Sequence, residues 1–361
     1  MRRRSMTWVM ALCGALAAAA AGPAAAGEPA RVRLAMGTPN IQPLAVNLAV
    51  GIELGYFREE GIDWTIVPIG NSAALVNAIA SRQTEIAVVL PGFLLPLAAK
   101  GDAPPVKAFY NYTPGFKYAF LVRADSPLKE LAQLRGKKLG IPSFGHGAGP
   151  VVRPMLKEVG LDVDKDLAVL AVGLGATAGL ALTRGDIDAY MAGDTDIGQI
   201  EVQGFPARQI PFKVPPALEG TAAFYLGARE DYIKANPQVI VGVGRAVAKG
   251  TVFALHNLEA AARLFFKTYP EALPKGKTAD VATGEIATLM GARARNWVRP
   301  SQPPRSWGRI APRDWEADVK FLGLEGKVPN VERFVTNEFI QKINDFDEAR
   351  IIEQARSHKF R

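Results

Sequence analysis

One order of residues occurs twice in this chain, at an offset of about one hundred positions. In residues 60–87, Glu-Gly-Ile-Asp is followed by an apolar run, a glycine, an alanine-rich stretch, Ser-Arg and Ile-Ala. In residues 159–189, Val-Gly-Leu-Asp leads through a glycine and an alanine-rich stretch to Thr-Arg and Ile-Asp-Ala. Each copy has the order of one strand–helix–strand unit. Two such units predict two similar α/β lobes with a ligand held between them.

The first 26 residues have the pattern of a secretory signal peptide. Three arginines at 2–4 precede an apolar stretch at 8–21, and alanines at 24–26 supply small residues for cleavage before Gly27. The apolar stretch is too short to span a membrane, and no other stretch approaches about twenty apolar residues. The pattern therefore predicts a periplasmic protein. The paired arginines leave the twin-arginine export route as an alternative to ordinary secretion.

Removal of this signal limits the available chemistry. Cys13 is the single cysteine, so the mature chain has no disulfide, no thiol nucleophile and no cysteine-bound metal. The histidines His146, His256 and His358 are far apart, and we expect neither a metal site nor a cofactor. The formal charge of +8 falls to +5 without the three signal arginines, because residues 1–26 contain no acid. Nucleic acid is not an expected partner.

Apolar periodicity predicts an alternation of strands and helices along most of the mature chain. Strands are predicted at 32–36, 64–69, 85–89, 106–110, 119–122, 138–142, 188–191 and 223–226. Helices are predicted at 43–54, 73–80, 94–99, 128–131, 151–159, 237–255 and 258–266. This alternation favours an α/β fold in which mostly parallel sheets are flanked by helices. After residue 226 the pattern becomes mostly helical.

Open parallel sheets bind ligands beyond the carboxyl ends of their strands. Six loops have that position, and they lie at residues 37–42, 70–72, 90–93, 143–149, 173–177 and 192–196. Asn71, Ser72, Ser143 and Thr177 are placed at helix starts, where short polar side chains and free amides can bind an oxyanion. The six loops contain no lysine or arginine, which predicts an anion held by neutral donors. Alternatively, Asn71 and Ser72 only cap a helix.

Four sequence motifs in these regions resemble one family of transport proteins. They are Gly-Tyr-Phe-Arg-Glu-Glu-Gly at 55–61, Arg-Gln-Thr-Glu-Ile-Ala at 82–87, Leu-Ala-Gln-Leu-Arg-Gly-Lys-Lys-Leu-Gly at 131–140 and Arg-Gly-Asp-Ile-Asp-Ala at 184–189. The chain resembles the periplasmic solute-binding proteins of ABC transporters in the nitrate/sulfonate/taurine (NMT1/THI5-like) family. The ending, residues 335–347, is similar to that of the thiamine-pyrimidine branch.

The resemblance implies a two-lobed periplasmic binding protein of type II, with two crossovers between its lobes. We expect these crossovers near Leu121–Asp125 and Thr221–Leu226. Lobe 1 would comprise residues 27–122 and 225–361, including a helical C-terminal extension, and lobe 2 residues 123–224. The resemblance also implies a monomer that closes about its hinge on a small solute and delivers it to an ABC permease in the inner membrane.

Loop position, residue chemistry and the resemblance together predict a set of ligand-binding residues. The full set is Thr38, Asn40, Gln42, Asn71, Ser72, Pro91, Phe93, Tyr112, Ser143, Phe144, Gly145, His146, Thr177 and Asp194. Sulfonate receptors of the family carry tryptophan-aspartate where this chain has Gly193-Asp194, which argues against taurine and simple alkanesulfonates. Three aromatic residues in the set favour a planar aromatic or heteroaromatic solute.

Several of these side chains have a second interpretation. Each aromatic residue of the set, Phe93, Tyr112 or Phe144, can instead belong to the hydrophobic core. His146 can donate to an anion or satisfy a local carbonyl, and Asp194 can bind an amine or cap the following segment. The sequence alone leaves these alternatives open.

The predicted function is therefore a receptor that delivers a small organic anion or planar heteroaromatic solute to an ABC importer. A receptor for a membrane sensor would use the same cleft. A pyrimidine-precursor enzyme of the same fold is a further alternative, but enzymes of that kind depend on cysteine- and histidine-rich chemistry. Since the mature chain has no cysteine, we expect that it is not an enzyme.

Overall fold

The computed structural model describes residues 28–298 and 303–359. The predicted signal peptide, with Cys13 and the cleavage position before Gly27, lies outside the described residues. The strands are β1 Ala30–Met36, β2 Ile62–Pro68, β3 Ile86–Val89, β4 Val106–Thr113, β5 Tyr118–Arg123, β6 Lys138–Ile141, β7 Ala168–Ala171, β8 Ala189–Gly193, β9 Ala207–Ile210 and β10 Phe224–Arg229.

Helices connect these strands, and after β10 all the remaining regular elements of the described chain are helical. They are α1 Val46–Glu53, α2 Tyr56–Glu59, α3 Leu75–Ala80, α4 Pro91–Lys100, α5 Gly149–Glu158, α6 Val163–Asp166, α7 Ala176–Arg184, α8 Asp194–Val202, α9 Glu230–Ala235, α10 Pro237–His256, α11 Leu258–Thr268, α12 Ala279–Arg295, α13 Pro312–Phe321, α14 Ile340–Ile343 and α15 Glu348–Ser357. The helix predicted at 128–131 is instead a 3-10 turn at Leu131–Leu134.

The strands form two five-stranded sheets with the same topology. The first sheet has the order β2-β1-β3-β10-β4 and the second the order β7-β6-β8-β5-β9. In each sheet the fourth strand is antiparallel to both of its neighbours, and the first three strands are parallel. The repeat in the sequence is therefore a repeat of topology. The prediction of two α/β lobes, each with a mostly parallel sheet, is confirmed, and we call them the first and second lobe after their sheets.

Each lobe has its own hydrophobic core. The first core contains Val32 and Leu34 of β1, which are fully buried because the alternating strand turns these side chains to one face. The second core contains Phe120 of β5 and Leu139 of β6. Helices α10 to α12 pack on the first core, so the C-terminal extension belongs mainly to that lobe.

The first crossover is not where the sequence placed it. Because Phe120 pairs with Met191 on one side and Ile210 on the other, β5 belongs to the second sheet. The chain therefore leaves the first sheet at residues 114–117, and the prediction of Leu121–Asp125 is wrong by several residues. The apolar run of β5 would fit the interior of either sheet, which is why its pattern did not reveal the boundary. The second crossover occupies residues 211–223, which overlaps the predicted region.

One helix in the described part of the chain is long and apolar enough to cross a membrane by length and composition. This helix is α10, and 72% of its most apolar window is buried inside the protein. The apolar pattern of the sequence had not indicated a second stretch of this kind. Burial of α10 against α1, α11 and α15 is the arrangement of a core helix.

Candidate functional site

A cavity of about 320 Å³ lies between the two sheets. Its walls come from the loops that follow β1, β2 and β3 in the first lobe and β6, β7 and β8 in the second. These loops are at the carboxyl ends of parallel strands, where a sheet of this kind exposes backbone amides and helix starts. Each of the six loops selected from the sequence contributes at least one residue to the wall.

The lobes touch each other around this cavity, so the cleft is closed. The side-chain amide of Gln199 donates a hydrogen bond of 2.9 Å to the side-chain Oε1 of Gln42 across the cleft. The backbone N–H of Ala73 donates to the carbonyl oxygen of Gly145 at 3.0 Å. The contact at residue 145 is close, because a Cβ there would lie 3.1 Å from the Asn71 side-chain oxygen.

The predicted site residues divide into those that line the cavity and those that do not. The first group consists of Thr38, Gln42, Asn71, Ser72, Ser143 and His146. The second group consists of Asn40, Pro91, Phe93, Tyr112, Phe144, Gly145, Thr177 and Asp194. Asn40, Phe144 and Thr177 are exposed at the rim, and Pro91 is buried at the start of α4. Contact with a ligand stays a prediction for the first group.

Asn71 combines the two roles that the sequence left open. Its side-chain oxygen accepts a hydrogen bond of 3.2 Å from the N–H of Ala74 and so caps the turn at Ser72–Ala74. The residue also lines the cavity. Because the Asn71 oxygen forms this cap, its side-chain NH₂ group is the part that can donate a hydrogen bond to an acceptor on a solute.

The predicted cluster of aromatic residues does not form. Tyr112 is buried in the first core, where its hydroxyl bonds Asn47 at 2.8 Å and the Leu44 carbonyl at 2.9 Å. Burial raises the pKa of this hydroxyl far above its ordinary value. Phe93 packs on the same core, and the Phe144 side chain is 63% exposed. The core interpretation therefore holds for Tyr112 and Phe93.

Two other aromatic rings line the cavity, and both come from the crossovers. Tyr118 begins β5 and Phe224 begins β10, so each ring stands at a point where the chain passes between the lobes. The Tyr118 hydroxyl is buried without a hydrogen-bond partner in the described structure. Aromatic surface is thus available to a solute, but at the base of the cleft.

His146 faces a carboxylate of its own lobe. Its Nδ1 accepts a hydrogen bond of 3.2 Å from the backbone N–H of Ala148, and its Nε2 lies 3.4 Å from an oxygen of Asp196. Burial raises the pKa of the Asp196 carboxyl, while His146 opposes this shift. Both residues line the cavity and present a polar wall to any bound solute.

Asp194 joins the second lobe to α12 of the C-terminal extension. One carboxylate oxygen accepts hydrogen bonds from Arg293 at 2.6 and 3.0 Å, and the other accepts from the Asn296 amide at 2.7 Å. The side chains of the ion pair are only 3% and 8% exposed. Both oxygens are occupied, so Asp194 holds the lobes together and does not face the cavity. We call Asp194, Arg293 and Asn296 the interlobe latch.

Two cationic side chains line the cavity, contrary to the prediction of neutral donors alone. They are Lys117, in the first crossover, and Arg293, in α12. The six loops contain no such residue, but the crossover and the C-terminal helix bring these two into the wall. Arg293 is already bound to Asp194, whereas Lys117 has no carboxylate within 4 Å in the described structure.

Few signals in the sequence could have identified these residues. Arg293 is the first residue of an arginine-rich stretch that ends at Arg313, and Lys117 directly precedes an apolar strand. Neither feature indicates a cleft, because long-range packing decides which distant residues meet. In the parts of the chain that are described, no group of three His, Cys, Asp or Glu residues could hold a metal ion.

The fold and the site together define a class of protein. Two similar α/β lobes joined by two crossovers and closed over one cavity are the periplasmic binding protein fold. The family described as NMT1/THI5 like matches residues 42–261, more than half of the chain. The chain belongs to this family.

Several known proteins similar to this chain are solute-binding proteins. The riboflavin-binding protein RibY of Chloroflexus aurantiacus is 26% identical over 260 residues, which are 71% of this chain and 72% of RibY. The alkanesulfonate-binding protein SsuA of Xanthomonas axonopodis pv. citri, solved with MOPS bound, has a TM-score of 0.61 and 16% identity. Its alignment covers 86% of this chain and 99% of SsuA.

The periplasmic nitrate-binding protein NrtA of Synechocystis PCC 6803 has a TM-score of 0.57 and 14% identity, covering 91% of this chain and 88% of NrtA. One enzyme shares the fold as well. The desulfurization enzyme DSZB has a TM-score of 0.56 and 14% identity, covering 87% of this chain and 98% of DSZB. At these identities the solved structures establish the fold alone.

Proposed function

We propose that this protein is a periplasmic receptor that binds a small organic solute between its lobes and delivers it to an ABC importer. One observation carries the proposal: loops from both lobes enclose a cavity at the carboxyl ends of their strands. Family membership and the functions of RibY, SsuA and NrtA support it. We propose that the receptor acts as a monomer and that a membrane permease is its partner.

Hinge closure requires two bodies that move relative to each other. We propose that one body comprises 28–117, 224–298 and 303–359 and that the other is 118–223, which moves the first boundary from residue 122 to 117. The crossovers at 114–117 and 211–223 would be the hinge. Solute that contacts both lobes stabilises the closed form more than the open form, and this difference supplies the free energy of closure.

The proposed solute is a small organic anion or a planar heteroaromatic compound. Its volume must suit a cavity of about 320 Å³, which is at the lower end of the range for small-molecule sites. Leu44, Leu75 and Val88 provide apolar wall, while Asn71 and Ser143 provide neutral hydrogen-bonding groups. The relative that binds riboflavin supports a heteroaromatic solute, and the relatives that bind sulfonate or nitrate support an anion.

Binding without catalysis is part of the proposal. Ser143, His146 and Asp196 all line the cavity and include the residue types of a hydrolytic triad. A triad needs one imidazole nitrogen directed at the serine and the other at the carboxylate. Here Nδ1 accepts from the backbone N–H of Ala148 and Nε2 faces Asp196, so neither nitrogen is left for Ser143.

A thermal shift screen followed by titration calorimetry tests the proposed function. The panel contains alkanesulfonates, nitrate, aromatic carboxylates, pyrimidines and flavins. A true solute raises the melting temperature in a concentration-dependent manner, because it binds only the folded state. Replacing Asn71 and Ser143 together by alanine should then weaken binding about tenfold or more. If no compound of the panel binds, the proposed solute class is wrong.

A further inference from the structure

Lys117 is the most unusual charged residue of the cavity wall. Its side chain stands at the base of the cleft and the residue is only 3% exposed. Its ammonium group donates to the carbonyl oxygen of Ala222 and lies 3.8 Å from the centre of the Phe224 ring. No carboxylate of the described residues lies within 4 Å of it. A buried ammonium normally has such a partner, because removal from water is costly.

The charges around Lys117 come from three helices and are mostly engaged elsewhere. Arg293 of α12 is bound to Asp194 of α8. Asp318 of α13 accepts a hydrogen bond from the Ala222 N–H at 2.8 Å, behind the crossover. Within the cavity, Asp196 faces His146. Asp194 and Asp196 each have a donor of their own, whereas the second oxygen of Asp318 is buried without a hydrogen-bond partner and forms no ion pair within 4 Å of Lys117. The remaining ammonium protons of Lys117 are available to a solute.

Resting on the proposed function, we infer that the solute is an organic anion whose negative group binds Lys117 and whose apolar part packs on Leu44, Leu75 and Val88. This inference narrows the proposed solutes to those that carry a negative charge. The anionic group would lie at the crossover, where both lobes and the C-terminal extension meet. Nitrate would leave most of a cavity of about 320 Å³ unfilled, so an organic body is expected.

The inference predicts that binding is linked to proton uptake. Burial lowers the pKa of Lys117 to about 7, an effect to which Arg293 adds and which Asp194 and Asp318 oppose. An anion in contact with the ammonium raises this pKa again. Binding should therefore take up about half a proton at pH 7 and nearly one at pH 8. The affinity should fall by up to about tenfold per pH unit above pH 7.

Matched pairs of an anion and a neutral analogue test the inference. The pairs are benzoate with benzamide, hexanesulfonate with hexanesulfonamide, and riboflavin 5′-phosphate with riboflavin. Dissociation constants are measured from pH 6 to pH 9 in bis-Tris and Tris, which carry no competing carboxylate, sulfonate or phosphate. At pH 6.5 the anion of a binding pair should bind about tenfold tighter or more than its neutral partner.

Variants of Lys117 test whether this residue causes the preference for the anion over its neutral analogue. Lys117→Met removes the charge at similar length, and Lys117→Gln is a second neutral form if the first is poorly folded. Both should reduce the preference for the anion to less than about threefold and abolish its pH dependence. Lys165→Met is the control, because this side chain is 81% exposed in the second lobe and does not line the cavity.

The outcomes separate the inference from the proposed function. If neutral members bind as tightly as anions, or if the Lys117 variants keep the preference and its pH profile, the inference is wrong and the receptor function stands. If no member of the wider panel binds, the proposed solute class falls together with the inference. If the variants lose stability alone, Lys117 has only a structural role at the crossover and the inference is again wrong.

Discussion

Ala222 is held in an unusual conformation by two ionisable side chains. Its φ is 53°, in the left-handed region that a residue with a Cβ seldom adopts. Its N–H donates to Asp318 of α13, and its carbonyl accepts from Lys117 of the other crossover. Such a conformation persists where the surroundings determine it. Through its two backbone hydrogen bonds, Ala222 thus links the second crossover to the first crossover and to the C-terminal extension.

Asp318 makes stability depend on pH. Burial raises the pKa of its carboxyl to about 8, although the Ala222 N–H and Lys117 lower it. The folded protein therefore keeps this proton up to about pH 8, whereas the unfolded chain releases it near pH 4. The contribution of Asp318 to stability is complete below pH 4 and is lost as the pH rises toward 8. Asp318→Asn keeps an oxygen for the Ala222 N–H and removes the titration.

We expect Asp318→Asn to become progressively more stable than the wild type between pH 5 and pH 7. The difference in free energy of unfolding should grow by as much as about 3 kcal/mol across this interval. Urea unfolding at pH 5, 6 and 7 measures it. Asp164→Asn is the control, because this carboxylate forms an exposed ion pair with Arg153. A difference that stays constant for Asp318→Asn would show that Asp318 is ionised throughout the range.

Residue positions show where prediction from the sequence stops. Ser72, Ser143 and His146 were placed at the cavity because a loop after a parallel strand has a known direction. Tyr112 was misjudged because it lies inside β4, where the faces of a doubly covered strand look alike in sequence. Lys117 and Arg293 were missed because their position depends on packing between elements far apart in the chain.

Secondary structure and topology were more predictable than single contacts. The periodicity of β1 and α10 is long enough to assign both, and the repeated unit gave the two-lobed fold. The boundary between the lobes was predicted several residues too late, so β5 was assigned to the first lobe. Sheet membership depends on which strands pair, and β5 pairs with β8 and β9 of the second sheet. The contact between α8 and α12 had no local signal, because these helices are separated by residues 203–278.

The interlobe latch ties helix α8 to helix α12, so its removal should weaken the closed cleft. Asp194→Ala leaves the guanidinium of Arg293 buried without a carboxylate, which costs about 3–5 kcal/mol in comparable buried pairs. Opening of the cleft would hydrate Arg293 and reduce this cost. We therefore expect a lower free energy of unfolding and a larger radius of gyration for Asp194→Ala. Urea unfolding and small-angle X-ray scattering measure the two quantities.

A double variant separates the ion pair from other effects of the substitution. Arg293→Met combined with Asp194→Ala removes both charges, so it should be more stable than Asp194→Ala alone. Asp164→Ala breaks an exposed ion pair with Arg153 and should therefore be much less destabilising than Asp194→Ala. If Asp194→Ala is no more destabilising than Asp164→Ala, the latch does not hold the lobes together.

The whole molecule is connected between its lobes in more ways than the two crossovers. Helix α12 bonds to α8 through the latch, and Phe321 at the end of α13 packs in the second core. The C-terminal extension thus contacts both lobes, although most of it packs on the first. Any opening motion must break the latch and the contacts of Gln42 with Gln199 and of Ala73 with Gly145. These contacts favour the closed form before any solute binds.

Hinge closure predicts that solute shortens the distance between the lobes and leaves distances within a lobe unchanged. Because Cys13 is the single cysteine, a chain begun at Gly27 accepts fluorescent labels at introduced cysteines alone. Lys100→Cys with Lys157→Cys places labels on α4 and α5, which follow strands of different sheets and contact each other in the closed form. Lys157→Cys with Arg184→Cys is the control within the second lobe.

Single-molecule energy transfer should show that saturating solute depletes an open population for the first pair only. Since solute gains contacts to both lobes only when the cleft is closed, an unchanged distance for the first pair would contradict closure as the mechanism.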